Sequence, residues 1–235
     1  CEMTSLGLPV PFGFIITTST CQEFFQAGNK LPSLLEQEYR VALDLVEKRM
    51  GTRFGDPENP LLFSVRSGAP VSMPGMMNTI LNLGLNDEIT EGLARRTGNP
   101  RFAYDSYRRF IQMFANVVLD VDGNKFEHAL QSYKFANNKA LDVDMSADDW
   151  REIINIYKTL VELPEDPFEQ LKMAVEAVFR SWHTPRAIVY REMNNIDDSL
   201  GTAVTVQAMV FGNFGDDSGS GVAFTRNPVT GEQQF

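Results

Sequence analysis

One short stretch constrains this chain more than any other. An apolar run, Leu61–Val65, delivers a single arginine, Arg66, into Ser67-Gly68-Ala69-Pro70-Val71-Ser72-Met73-Pro74-Gly75-Met76-Met77-Asn78-Thr79-Ile80-Leu81-Asn82-Leu83-Gly84. The run predicts a buried strand with the arginine at its end. The glycines and small turn formers that follow let backbone N–H groups approach a phosphate closely. The guanidinium adds a planar, permanently charged fork. Strand, fixed cation and N–H-rich loop together make the chemistry of a polyphosphate site. The density of methionine in the loop has no such explanation.

Composition sets the outer bounds. A chain of 235 residues, 43% hydrophobic and 22% charged, can bury a large core and form one or two globular domains. No apolar run approaches the ~20 residues of a membrane span. A net charge of −10 argues against a general nucleic-acid binder. It is compatible with ATP, because a few local cations suffice at a phosphate site. Cys1 and Cys21 have neither metal-ligand spacing nor a disulfide framework, which fits a reducing compartment. The chain begins Cys-Glu-Met and stops shortly after a turn at Pro228–Gly231, so both ends read as cut and no targeting segment is legible.

The pattern along the chain predicts an α/β (α+β) layout. Leu6–Phe14 is a Pro- and Gly-rich loop leading to a strand at Phe14–Thr17, and Thr18 or Ser19 can cap a helix after it. Ser33–Met50 has helical spacing, with Leu34, Leu35, Tyr39, Leu43 and Val46 on one side. From Asn99 to about Asn195 the pattern is helical. Asn99-Pro100 caps the first helix, with Phe102, Phe110, Phe114, Val117 and Val118 at helical intervals. Ser146 and Asp149 make a capping-box-like start. Asp166-Pro167 starts a helix that turns Leu171, Val175, Val178 and Trp182 inward, and Thr184-Pro185 restarts it; Ile188–Tyr190 has the alternative of a strand, but the cap signal favours helix. Val204–Phe211 and Val222–Thr225 read as two strands joined by a hairpin-like turn at Asp216–Gly219. The glycines at 212, 215, 219 and 221 run into a strand and do not open a helix, so they are no dinucleotide fingerprint. Three segments are expected: an α/β part at 1–98, a helical insertion at 99–195 and return strands at 196–235.

Several blocks carry a family resemblance over nearly the whole chain. They are Val65–Ala69 with Ser72–Gly84, Gly98–Phe110, Phe179–Trp182 with Pro185–Arg191, Gly201–Asn213 and Gly221–Pro228. The chain resembles the pyruvate, phosphate dikinase family, with the likeness weakest between about Asp120 and Asp166. The resemblance implies an ATP-grasp-like nucleotide-binding fold, truncated at both ends and lacking most of its second lobe. It implies ATP as substrate and Mg²⁺ as cofactor, with pyrophosphoryl transfer to a histidine on another domain. The phosphohistidine and pyruvate-binding domains would be partners on the same polypeptide, and the full enzyme a homo-oligomer. The compartment would be the cytoplasm, or an organelle such as a plastid or glycosome. The alternatives are a related dikinase such as phosphoenolpyruvate synthase, or a non-catalytic nucleotide-binding module.

The resemblance places Arg66 on the ATP phosphates, where the plain alternative is a structural ion pair at a strand end. It makes Ser72, Gly75, Met76 and Thr79 parts of a lid over the triphosphate, although loop methionines also commonly fill core gaps. Gln207, Met209 and Val210 fall where related folds meet adenine or ribose, against the alternative of a plain core strand. Arg108 and Arg109, with Arg101 nearby, could face phosphate or dock a partner domain; charged runs of this kind usually form a solvated face. His128 and His183 read as surface or helix-end residues, and Asp142, Asp144, Asp148 and Asp149 as a solvated helix start. The acidic residues show no spacing of a dedicated metal site. The resemblance implies that the metal ligands and the carrier histidine lie outside this chain.

Overall fold

The alternation that predicts a strand near Val204 settles the architecture, because that strand lies at the centre of the sheet. A computed structural model describes residues 2–215, 217–227 and 229–233. In chain order its elements are α1 (Glu2–Ser5), β1 (Gly13–Ile16), α2 (Thr18–Gln26), α3 (Leu35–Met50), β2 (Arg53–Phe54), β3 (Pro60–Leu61), β4 (Phe63–Gly68) and β5 (Thr79–Leu83). There follow α4 (Asp87–Thr97), α5 (Pro100–Val117), α6 (Gly123–Ala136), α7 (Ala147–Leu160), α8 (Pro167–Ser181), α9 (Pro185–Asn194) and β6 (Ala203–Ala208). The main sheet is antiparallel with order β1-β6-β4-β5, and β2 and β3 form a small parallel pair beside it.

In β6 the residues Val204, Val206 and Ala208 are buried, whereas Ala203, Thr205 and Gln207 are half-buried. Phe63 and Val65 of β4, Ile80 and Leu83 of β5, and Ile16 of β1 join the inward set. Helix α8 covers this face with Leu171, Val175, Val178 and Phe179, all fully buried. One continuous core runs from the sheet into the packing of α5, α6 and α7, where Phe110, Phe114, Phe126, Trp150 and Tyr157 are buried. Packing therefore does not follow the expected boundaries at 98 and 195. Helix α8 belongs to the sheet, and residues 1–98 lack their central strand until β6 arrives.

Local signals explain most helix starts. Asn99 accepts from Phe102 N–H ahead of Pro100, Asp166 accepts from Phe168 N–H ahead of Pro167, and Thr184-Pro185 opens α9 as a helix. Ser146 and Asp149 form the reciprocal capping box at α7. The short α1 and β2, and the longer β5 and α4, have no counterpart among the elements expected from sequence. Two strands are shorter than expected or missing. Val204–Phe211 stops at Ala208, and Val222–Thr225 has no strand partner among the described residues. Asp216, on which the expected hairpin turn rests, and Pro228, on which a second expected turn rests, lie outside the described residues. The segment after β6 instead packs on the start of α5, with Phe211 and Phe214 edge-on to Phe102 at 4.9 and 5.6 Å.

The acidic stretch near residue 145 is not a solvated helix start throughout. Asp142 pairs with Lys134 and with Arg108 at 2.8 Å. Asp149 accepts from Lys139 at 2.8 Å, from the Ser146 N–H and hydroxyl, and from Tyr133. Burial alone would raise the Asp149 carboxyl, but these donors together outweigh it and hold the pKa well below the usual carboxylate range. A depressed folded-state pKa stabilises fully above the ordinary carboxylate pKa, and the stabilisation is lost as pH falls through and below it. Asp149→Asn should therefore lower the melting temperature at pH 7 and flatten its decline between neutral and acidic pH. A melting temperature equal to wild type at pH 7 would rule this out.

Candidate ligand face of the sheet

Register puts the site's polar residues in rows. Directly opposed residues of neighbouring strands share a face. Ile15 lies opposite Thr205, Thr205 opposite Arg66, and Arg66 opposite Thr79. One step along the strands, Gly13, Gln207 and Ser64 form a second row. Apart from Ser64, which is itself buried, these are the residues that alternate with the buried set, so they lie on the face turned away from α8. That face is open: Ile15 is 54% exposed, Arg66 and Thr79 are exposed, and Thr205 and Gln207 are half-buried.

Arg66 lies within β4, not at its end, which fixes its direction through ladder pairs on both sides. Among the described residues its side chain has no hydrogen-bond or ion-pair partner, so none of them forms the structural ion pair considered from sequence. An unpaired guanidinium held on a rigid strand and facing solvent is ready to meet an anion without first breaking a contact.

The loop from Ala69 to Asn78 leaves the sheet beside this row. Gly75 has φ +70, and a Cβ there would meet nothing within 4 Å. The backbone conformation alone thus selects glycine. Met76 N–H closes a turn onto Met73 C=O at 3.1 Å, so this donor is already used inside the loop. The Met76 side chain packs with Met77 against a small apolar cluster of Met73, Trp182 and Ala187. Ser72 and Gly75 remain exposed. The loop and the end of β4 enclose an open hollow of about 540 Å³ between Ser67 and Met77.

Gln207 shares Arg66's face on the adjacent strand, at a cross-strand diagonal of roughly 8 Å. Its side-chain amide donates to Pro11 C=O at 3.1 Å, which holds the group and leaves its carbonyl oxygen free to accept. Met209 donates its N–H to Leu62 C=O at 2.9 Å and packs on the core, whereas Val210 is 71% exposed. Sequence reasoning missed Thr205 and Ile15. The alternation in β6 marks Thr205 as outward, but only the register brings it beside Arg66.

The arginines of α5 are placed differently. Arg108 is 7% exposed, pairs with Asp105 at 3.0 Å and with Asp142, and stacks on Trp150 at 4.5 Å. Its guanidinium ties α5 to the connection before α7, which corrects the expectation that it meets phosphate or docks a domain. Arg101 serves the same connection through Met145 C=O and Asp142 C=O. Arg109 shares Asp105 but stays half exposed beside a cavity of about 460 Å³ next to Leu81. His128 and His183 are exposed, and His183 rests edge-on against Phe25. Among the described residues no group of three His, Cys, Asp or Glu could hold a metal ion, and no helix is long and apolar enough to cross a membrane.

Comparison with known proteins bears on this face. A family model described as pyruvate phosphate dikinase, AMP/ATP-binding domain, matches residues 27–235. The chain is 53% identical to pyruvate, phosphate dikinase of Clostridium symbiosum, over 99% of this chain and 27% of that protein. It is 54% identical to pyruvate, phosphate dikinase of Giardia intestinalis, over 98% of this chain and 27% of that one. A rice relative, the chloroplastic pyruvate, phosphate dikinase 1 of Oryza sativa subsp. japonica, is 54% identical over all of this chain and 25% of its own length. The chain thus spans about a quarter of the length of the curated relatives it matches.

Proposed function

The chain belongs to the pyruvate phosphate dikinase AMP/ATP-binding domain family, and from that premise we propose that its open sheet face binds ATP for a dikinase. The observation that carries this reading is Arg66, exposed, unpartnered among the described residues and in register with Thr205 and Thr79 beside a glycine-containing loop. Arg66 takes the phosphates, and Ser72 and the backbone at Gly75 cover them. Met76 contributes through its place in the loop's turn, and Thr79 offers its hydroxyl from the adjoining strand. Gln207, in the neighbouring row, with Met209 and Val210 just beyond the strand, receives the adenine and ribose. The arrangement suits an ATP-grasp-like site whose other lobe lies in the remainder of a longer polypeptide.

The activity proposed for that polypeptide is the interconversion of ATP, pyruvate and phosphate with AMP, phosphoenolpyruvate and diphosphate. A histidine on a separate domain would accept the transferred group, and a further domain would bind pyruvate. This chain's part is electrostatic: a fixed guanidinium stays charged and oriented while negative charge redistributes over the phosphates. Magnesium is the expected companion of ATP in such chemistry, but the described residues supply no set of ligands for it. Arg109, half exposed on α5, is retained as a docking contact for a partner domain. The compartment proposed is the cytoplasm or a plastid-like organelle, the latter matching the chloroplastic relatives.

Titration calorimetry of ATP and of adenosine into the full polypeptide tests the reading. Saturable ATP binding, tighter than adenosine binding, is expected. Failure of ATP to bind, or equal affinity for the two, would overturn it.

A further inference from the structure

The loop beside Arg66 is fixed at three points, and all three come from one stretch more than 100 residues away. At its start, Gly68 N–H donates to the hydroxyl of the fully buried Thr202 at 3.2 Å. At its end, Asn78 accepts from Arg186 at 2.8 Å, and its N–H reaches Ser181 Oγ at 3.5 Å. In the middle, Met73 is 7% exposed and packs with Trp182 and Ala187 at the corner between α8 and α9. The flanking Pro70, Val71, Ser72, Pro74 and Gly75 are all exposed, so Met73 is the one buried point between residues 70 and 75.

The corner that receives Met73 is built to stay put. Trp182 is 1% exposed and donates its indole N–H to Asp198 C=O at 2.9 Å. Arg191, also 1% exposed, stacks on the Trp182 ring at 4.2 Å and donates to both Trp182 C=O and the Asp198 carboxylate. A buried guanidinium of this kind is costly unless it is paired; here its contacts brace one indole from its face and its backbone, while Nη2 lies 2.7 Å from the Asp198 carboxylate without a hydrogen bond. The polar groups on the outer side of the loop make no such contacts.

We propose that Met73 and Trp182 form a plug and socket that positions the loop, with Arg191 as the brace behind the socket. Met73 and Trp182 are positioning residues. They touch no nucleotide themselves and act by holding the backbone near Ser72 and Gly75 over the triphosphate. The inference rests on the ATP reading above and adds to it a specific division of labour. The adenosine end of the site is independent of the plug, because Gln207 is fixed by β6 and by Pro11, and Met209 just beyond the strand by Leu62 C=O.

The test uses the full polypeptide carrying Met73→Ala, with ATP and adenosine titrated separately. ATP affinity should fall about tenfold or more while adenosine affinity stays within about twofold. Met73→Leu, which keeps volume and apolarity, should restore ATP binding to within about threefold of wild type. Retained adenosine binding shows that the variant is folded; should alanine unfold the protein, Met73→Gln, of similar length but polar, carries the same comparison. Equal losses for ATP and adenosine would mean a merely structural role and overturn the proposal, as would no loss for either. Arg66→Ala separates the two levels. Loss of ATP binding there with normal ATP binding in Met73→Ala sinks the plug alone. Absence of ATP binding in wild type removes both readings.

Discussion

Arg66→Ala should weaken ATP binding by about a hundredfold and leave the melting temperature nearly unchanged. Hydrogen bonds to a charged group are worth roughly 1.5–3 kcal/mol, and a guanidinium offers two parallel ones to a phosphate, so a loss near 3 kcal/mol is the scale to expect. Stability should not follow, because the side chain is exposed and has no partner among the described residues to strand. Arg66→Lys should recover only part of the affinity, since an ammonium keeps the charge but not the planar fork. Arg108→Ala gives the contrast. It would leave the buried Asp105 with only the half-exposed Arg109 and strip the stacking on Trp150, so its effect should fall on folding. Calorimetry with thermal denaturation of the same samples separates the two arginines. An Arg66→Ala protein that binds ATP like wild type would remove this residue from the site.

What could be read from the sequence divides along the range of the interactions involved. The starts of α5, α7 and α8 were legible because a cap is decided by residues three apart, and Asn99, Ser146 and Asp166 act there as expected. The inward faces of α3 and α8 were legible from helical spacing, with Leu34 as the exception. It precedes the helix and is 62% exposed. Helix α4 carries readable local signals of its own, an Asn86 cap and a closing Gly98 at φ 63. Strand β5 was harder, because Thr79–Leu83 continues a loop rich in Met and Gly and becomes a strand only by pairing with β4. The central place of β6 had no local signature at all, since strand order depends on contacts across more than 130 residues. The site followed the same division. Arg66 was legible from its neighbours, and Thr205 was visible only once register was known. The role of Arg108 could not be read because one of its carboxylates, Asp142, lies 34 residues away.

Gly92→Ala should be the most damaging single methyl addition in the chain, lowering stability by about 3 kcal/mol or more. Local reasoning gives the opposite sign. Gly92 sits inside α4 with ordinary helical backbone, where alanine is favoured over glycine by about 1 kcal/mol. The packing overrides this preference. A Cβ at Gly92 would stand 1.5 Å from Pro57 C=O oxygen and 2.6 Å from its carbon, which is overlap with backbone and not with a side chain that can swing away. The turn carrying Pro57 is stiff, because Asp56 accepts from Glu58 and Asn59 N–H and Asn59 donates to Gly51 C=O. Either α4 must lift off the turn, loosening the buried Ile89 and Leu93, or the turn must break its own hydrogen bonds. At roughly 2–4 °C per kcal/mol for a chain of this size, the melting temperature should drop by about 6–12 °C. The disturbance would pass through Phe54, which packs on Phe63 at 5.2 Å, into the first residue of β4. Arg66 lies three residues further along and is held by β5 and β6, so ATP affinity should survive well below the new midpoint. A Gly92→Ala protein as stable as wild type would show that α4 does not sit against the Pro57 turn, and the packing beneath the start of β4 would then have to be redrawn.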